Sequence, residues 1–418
     1  MILPVMLPVN IPVNTFPDFE EFATRRHCVW LDAATGDGDS VLAADPIKIV
    51  RAKGRQCEII TATGTQRIAG NPFDILNAEV ATTAALPIGY FGYDLKNSIE
   101  HLPAMAPDDL GLPDLWFGFY DKVEVGRGVP PHHVVSSTPT ARWDSAPYQR
   151  QQFCEAVRRA KAYIAAGDIY QVNLSQRFQC EVAASAPEVY QVLRAVNPAP
   201  YCAYLDIGDA QILSSSPECF LKIQDRHVIT RPIKGTRPRD RDPSELLRSP
   251  KDNAELLMIV DLERNDLGRV CEYGSVHVSE LKRVETFATV HHLVATIEGM
   301  LRAGVSHIDC VRACFPGGSI TGAPKIRAMQ IIDELEPHAR GVYSGAIGYL
   351  GRNGTSHFNI AIRTVVYQSM AAGVPACGRL TFHAGGGIVA DSDPDAEYEE
   401  TLAKAQGIFN ALDQLRLR

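Results

Sequence analysis

The sequence predicts an α+β fold, a large layered α/β sandwich with antiparallel sheets, and three observations predict it. Short apolar runs with strand-like bounds recur along the chain, the turns between them are of hairpin length, and helical patterns fall among them without strict β-α-β alternation. The 418 residues, 45% of them hydrophobic, suffice for one large domain or two ordinary ones around a well-buried core.

Taken in order, the N-terminus MILPVMLPVNIPVNTFPDF is apolar but carries Pro4, Pro8, Pro12 and Pro17 and no early Lys or Arg. It reads as a loosely ordered arm and not as a signal peptide. Ile47–Val50 and Glu58–Thr61, with the Gly-rich segment Gly89–Asp94, read as strands and turns more than helices, so residues 1–125 form a mostly β lobe. The Pro-, Ser- and Thr-rich stretch 126–147 reads as a connector to a larger region, 148–413. There, Phe153, Ala156, Val157, Ala160, Tyr163 and Ile164 have helical spacing over Tyr148–Ala166, and Gly167-Asp168 ends that helix before a strand over Ile169–Phe178. Further strands are expected at Ala203–Ile207, Gln211–Ser214, Phe220–Ile223, His227–Thr230, Ser344–Leu350, Asn359–Val366 and Leu380–Ala384. Helices fit Asp252–Leu262, Lys325–Leu335 and Pro394–Asp413.

Lys and Arg number 41 against 49 Asp and Glu, a net charge of −8, which argues against a nucleic-acid footprint or a polybasic membrane anchor. No apolar stretch approaches the ~18 residues of a membrane span. An anionic ligand must then be drawn by a local site. The ten cysteines are scattered, and the one close pair, Cys310 and Cys314, lacks a second pair for a zinc site, so they read as reduced thiols of a cytoplasmic protein.

Three segments can carry chemistry. In Ser392–Lys404, Ser392 or Asp393 can cap, Pro394 fits the first helical position, and Glu397, Glu400 and Lys404 fall at i, i+3 and i+7 on one face; the alternative is a solvated face with Glu400–Lys404 pairing. Just before it, Gly385, Gly386 and Gly387 lack Cβ atoms, which lets backbone N–H groups approach an anion, or marks a bulge or turn. Asp252 and Glu255 lie i, i+3 in the first turn of another helix. Hard oxygen donors from two helices, with no His or Cys set, suit Mg²⁺. Third, Lys234 in RPIKGTR follows the SSSPE segment 214–218; burial there would leave a neutral, nucleophilic amine, or the lysine is structurally paired to a carboxylate.

DIYQVNLSQRF (168–178), SSSPE (214–218), RPIKGT (231–236), ELLMIVDLERNDLGRV (255–270), VHHLV (290–294), FPGGSITGAPKIRAM (315–329), YSGAIGYL (343–350), NIAIRT (359–364) and HAGGGIVADSDPDAEYEETLAKA (383–405) together resemble the chorismate-utilising enzymes. That family includes anthranilate, isochorismate, salicylate and aminodeoxychorismate synthases. The resemblance covers about 150–410 in order, and GYFGYDL (89–95) resembles the family's N-terminal region more weakly. The Lys of PIKGT resembles the aminodeoxychorismate synthase branch, where anthranilate and salicylate synthases typically carry Ala. Gln171 stands where isochorismate-forming relatives carry a water-activating Lys.

The resemblance implies the following roles. Mg²⁺ is held by Glu255 and Glu400, with Asp252 and Glu397 in support, and meets the ring carboxylate of chorismate. Lys404 and the amides of Gly385, Gly386 and Gly387 add contacts, and Tyr343 and Arg363 take the enolpyruvyl carboxylate. Glu218 is the general acid for the C4 hydroxyl, and Lys234 attacks C2 to form a covalent intermediate that ammonia resolves at C4. Gln171, His292, Ser319 and Thr321 match substrate-site positions without an assigned role. No Gly-x-Cys-x-Gly nucleophile segment is present, so ammonia is expected from a glutamine amidotransferase subunit. No lyase domain follows residue 413, so p-aminobenzoate release is expected to need another enzyme. Two rival functions stand beside this one: anthranilate synthase component I, and a catalytically silent chorismate-binding subunit. Residues 237–250 form a shorter loop than is usual in such relatives. His27–Ala34 lacks the Leu-Leu-Glu-Ser signature of feedback-regulated relatives, so Trp30 is expected in the core.

Overall fold

The computed structural model describes residues 19–35, 38–103, 105–127, 141–143, 150–287, 290–351, 354–370 and 377–416. Residues 1–18 of the N-terminal arm and most of the 126–147 connector lie outside them.

Two antiparallel sheets carry the architecture. The first has 10 strands and runs from Gly322–Ala323 through Gln171–Val182, Gly378–Ile388, Thr364–Ser369, Gln211–Ser216, Tyr201–Asp206, Val29–Asp32 and Asp39–Ala43 to Val123–Arg127, with Ala141–Trp143 beside Gln171–Val182. The second has 12 and runs from Ile233–Pro238 through Val290–Met300, His227–Arg231, Cys219–Gln224, Thr355–Ile360, Ala346–Leu350, Leu86–Phe91, Leu115–Tyr120, Lys48–Lys53 and Gln56–Thr61 to Gly64–Ala69, with His277–Thr286 on Val290–Met300. Stretches on both sides of the connector enter both sheets: Val29–Asp32 pairs Tyr201–Asp206, and Leu86–Phe91 pairs Ala346–Leu350.

The period of two along each strand sorts the core into layers. Val29, Val41, Leu205 and Ile212 meet Ile88, Tyr90 and Trp116 between the sheets. The alternate residues Trp30, Leu42, Tyr204 and Leu213 turn outward onto helices Ala186–Val196 and Pro394–Arg416. On the far side, Phe91, Phe117, Leu221 and Leu293 pack on helices Pro72–Ala81, Pro250–Gly268 and His307–Cys314. The result is the expected layered sandwich, helix–sheet–sheet–helix, and strands covered on both faces read as continuous apolar runs. Trp30 is in the core, as expected, stacked under the buried Arg194–Asp32 ion pair (2.6 Å).

Two sequence expectations are corrected. The single strand expected at Asn359–Val366 is two strands, Thr355–Ile360 in one sheet and Thr364–Ser369 in the other, because the chain changes sheets at 361–363, where Arg363 has φ 49°. The Gly385–Gly387 run is not a turn but the end of strand Gly378–Ile388, in register with Ser175, Leu174 and Asn173. The missing Cβ atoms have a packing reason. A Cβ on Gly385 would overlap the Leu174 carbonyl oxygen, one on Gly387 would collide with the Gln171 amide, and one on Gly386 would lie 3.2 Å from Glu400 Oε1 and 3.3 Å from Glu397 Oε2. The glycines let the acidic helix and a neighbouring strand close on this one.

That difference predicts unequal costs for one added methyl. Gly385→Ala meets fixed backbone and should lose about 2 kcal/mol in urea unfolding, whereas Gly387→Ala meets a side-chain amide that can rotate away and should lose less. Equal losses would refute the packing account.

Candidate functional site

The site begins where the chain changes sheets. Strand Gln211–Ser216 lies in the first sheet and Cys219–Gln224 in the second, so Pro217-Glu218 is a crossing, as 361–363 is. The two crossings are bonded together: Ser215 N donates to the Arg363 carbonyl (3.0 Å), Ser216 Oγ to the Ile360 carbonyl (2.6 Å), and Ile360 N to the Glu218 carbonyl (3.0 Å). This fixes Glu218 and Arg363 at one level of the sandwich.

Glu218 is buried at 4% exposure, and burial pushes its carboxyl above the ordinary range against the nearby Ser319 hydroxyl and Lys234. Lys234 sits in strand Ile233–Pro238 just before a register shift against Val290–Met300, where Gly235 takes φ 75°. Its Nζ donates to the Ser319 carbonyl (3.2 Å). Burial and the Lys404 ammonium hold its pKa below the ordinary lysine value, against Glu255, Glu218 and Glu400. Of the two readings of Lys234, the geometry supplies no salt bridge to it among the described residues.

A second group gathers around Arg363. Its guanidinium has no carboxylate partner among the described residues and makes one long contact, Nη1 to Asn197 Oδ1 at 3.4 Å. His292, nearly fully buried, is pushed down to about 3 by burial and then by Arg363, and its Nδ1 pairs with Thr236 Oγ1 at 2.9 Å. Tyr343 stacks on His383 (5.1 Å, 12°), with the Arg340 guanidinium 5.6 Å from its ring; burial raises its hydroxyl to about 12.

The third group is acidic. Helix Pro250–Gly268 supplies Asp252 and Glu255; helix Pro394–Arg416 supplies Glu397, Glu400 and Lys404. Asp252 pairs with Arg237 (2.7 Å), which draws the 237–250 segment onto the helix. Lys404 bonds both Glu400 (2.7 Å) and the Gly385 carbonyl (2.9 Å), tying helix to glycine strand. Burial raises Glu397, whose Oε1 accepts from Ser392 (2.6 Å) while its buried Oε2 has no partner. Burial also raises Glu255, whereas for Glu400 the adjacent Lys404 outweighs burial and the pKa is lowered. No three His, Cys, Asp or Glu side chains among the described residues close into a ready metal cage.

The remaining expected residues fall unevenly. Ser319 offers Lys234 its carbonyl, and its buried hydroxyl lies by Glu218. Gln171 is buried beside Gly387 with its Oε1 unpaired. Thr321, by contrast, spends its hydroxyl on the Gly317 carbonyl (2.9 Å) and its own carbonyl on Asn173 N (2.7 Å), a local structural use. Sequence reasoning missed Arg340, buried at 2% exposure, which bonds Glu336 and the Ile320 and Asn173 carbonyls. It also missed Lys251 and Glu263, the latter pushed up to about 8 by burial and then by Glu218. Only Lys251 had a signal, since it directly precedes the acidic pair at a helix start. A cavity of about 410 Å³ lies apart, lined in part by Asp32, Tyr201, Arg231, Glu285 and His357, and none of the expected site residues lines it.

A layered sandwich that sets a guanidinium without a carboxylate partner among the described residues, an inward lysine and a buried acid beside facing carboxylates is an enzyme scaffold for a small anionic substrate. The chain belongs to the family of chorismate binding enzymes, whose model matches residues 26–410, and it is a chorismate-utilising enzyme, as the motifs lead one to expect. Aminodeoxychorismate synthase component 1 of Salmonella typhimurium is 39% identical over 97% of this chain and 98% of its own. Anthranilate synthase component 1 of Thermus thermophilus is 41% identical over 78% of this chain and 77% of its own. The solved anthranilate synthase component I of Streptococcus pneumoniae superposes with a TM-score of 0.77 at 31% identity, covering 88% of this chain and 92% of that one, and it bears out the expected fold. Among the described residues no helix is long and apolar enough to cross a membrane.

His292 makes stability pH-dependent in a definite direction. Its folded pKa of about 3 lies below the ordinary 6.5, so as pH falls through that window the unfolded chain takes up a proton that the folded one refuses. Stability is lost on acidification at up to about 1.4 kcal/mol per pH unit from this residue. His292→Gln should show a shallower fall in unfolding free energy between pH 6.5 and 4.5; slopes equal to those of the parent protein would contradict the assignment.

Proposed function

We propose that this chain aminates chorismate at C4 to give 4-amino-4-deoxychorismate, for p-aminobenzoate and folate synthesis. The observation that carries the reading is Lys234, turned inward toward Ser319 beside Glu218, with no salt bridge among the described residues. Overall identity does not separate the branches, since relatives of both names match at 39% and 41%. The lysine does.

The chemistry follows from the two shifts. A lysine held below its ordinary pKa has access to a free amine, and a carboxyl held above its own has access to a proton. The Lys234 amine adds to C2, both conjugated ring double bonds shift by one position, and the C4–O bond breaks as Glu218 delivers its proton, so the hydroxyl leaves as water. Ammonia then adds at C4, both double bonds move back, the C2–Nζ bond breaks, and a proton from the new C4 ammonium returns to Glu218, leaving Lys234 as the free amine. The enolpyruvyl group is retained. Arg363 would meet the enolpyruvyl carboxylate through a bidentate fork with Tyr343 beside it, and His292, kept neutral, would not compete as a cation. Gln171, next to Gly387, cannot act as a base toward water at C2.

Glu255 and Glu400 would hold Mg²⁺, with Asp252 and Glu397 behind them. The donors fit it, being hard carboxylate oxygens on two helices, one of them the buried and unpartnered Glu397 Oε2. When bound, the cation would neutralise the ring carboxylate and draw charge toward it. Ammonia would come from a glutamine amidotransferase subunit, a reading supported by the "component 1" in the names of the relatives. The ten cysteines, none of them in a disulfide, support a cytoplasmic setting.

The test is product identity. Chorismate, Mg²⁺ and ammonium should yield p-aminobenzoate only when aminodeoxychorismate lyase is added, and Lys234→Ala should lose about 100-fold or more of ammonia-dependent turnover. Anthranilate without lyase would place the chain with the anthranilate synthases, the second reading that the Thermus relative favours. Full activity of Lys234→Ala would remove the covalent step, and no turnover even with a glutaminase would leave a silent chorismate-binding subunit.

A further inference from the structure

Lys251 occupies a position that local helix physics disfavours. It follows Pro250 in the first turn of helix Pro250–Gly268, where exposed N–H groups already present partial positive charge and acidic residues are preferred. A tertiary reason is at hand. Its Nζ lies 3.7 Å from Glu397 Oε1 on the other acidic helix and 4.0 Å from Glu255 Oε1 one turn along its own. Among the described residues it is the one ion-pair partner of Glu397. The other oxygen of that buried carboxylate, Oε2, has no partner at all. Although burial would lower the Lys251 pKa, Glu397 and Glu255 hold it above the ordinary value.

Carboxylates facing one another from two helices repel unless a cation stands between them, and in this structure the ammonium of Lys251 is that cation. We propose that Lys251 is the placeholder of the carboxylate site: it bridges Glu255 and Glu397 in the metal-free protein, and a divalent cation must displace it to bind. This rests on the reading that these carboxylates hold a metal. More than half of the lysine side chain is exposed, so it can leave into water without rearranging the core. The lysine thereby sets the metal affinity of the free enzyme and keeps the two helices together before metal arrives.

The full-length chain, without substrate, is titrated with Mn²⁺ while free Mn²⁺ is followed by electron paramagnetic resonance, and thermal midpoints are taken with EDTA and with Mn²⁺. Lys251→Met should bind Mn²⁺ about three- to tenfold more tightly, the value of losing one or two partly exposed ion pairs. Its midpoint in EDTA should fall by a few degrees and recover with metal. Lys251→Arg, which keeps the charge, should behave like the parent. Unchanged or weaker Mn²⁺ binding by Lys251→Met, with parent binding that Glu255→Gln and Glu400→Gln abolish, overturns the placeholder role and leaves the metal reading intact. A parent that binds no Mn²⁺, or whose binding survives both carboxamides, overturns the metal reading and the placeholder with it.

Discussion

A chain that leaves one sheet for another strands backbone groups that neither ladder can pair, and buried groups of that kind must find partners. Here the chain leaves the first sheet at Pro217-Glu218 and returns to it at 361–363, and each crossing satisfies the other through the Ser215–Arg363, Ser216–Ile360 and Ile360–Glu218 bonds. The serines of SSSPE are spent on this stitching: Ser214 on Thr364, Ser215 on the Asn197 carbonyl, Ser216 on Ile360. A polar seam thus joins the sheets at one level, and the seam fixes an acid and a guanidinium at that level. Glu218 and Arg363 are where they are because the sheets exchange strands there.

Burial does the rest of the electrostatic work. Arg340 is paired with Glu336 and bonded to two carbonyls, so it serves as a rigid post behind Tyr343. Arg363 has no such pairing and retains the capacity to meet an external carboxylate. The same contrast separates the carboxylates. Asp252, Glu400 and Glu397 each have a cation nearby, Arg237, Lys404 and Lys251, but Glu397 Oε2 keeps no hydrogen-bond partner among the described residues.

Much of this was legible in the sequence, and the failures have physical causes. Helix Lys325–Leu335 and the starts of the Gln211 and His227 strands follow from periodicity and turn residues. The break at 361–363 was invisible because Asn359–Val366 is apolar on both sides of the crossing, and only the backbone conformation of Arg363 reveals it. The glycine run misled for a related reason. A sequence shows that Cβ atoms are missing but not what would fill their space, and here it is the Leu174 backbone, the Gln171 amide and the carboxylates of the last helix. Arg340 escaped because, beside the local Glu336 and Ser344, it bonds carbonyls of the distant Ile320 and Asn173, whereas Glu255, Glu397 and Glu400 were found because helical spacing alone puts carboxylates on one face.

Lys234 and Glu218 influence one another electrostatically without a salt bridge among the described residues. An amine beside a carboxylic acid and an ammonium beside a carboxylate contain the same number of protons, so the environment and not the pH chooses between them. In water the charged form wins by the several units that separate the two ordinary pKa values. Burial narrows that gap from both ends, lowering Lys234 and raising Glu218, and the Lys404 ammonium disfavours a second cation nearby. The proposed covalent step needs the neutral form of both groups at once. A substitution that admits water to this level of the sandwich would therefore disable nucleophile and acid together without touching either.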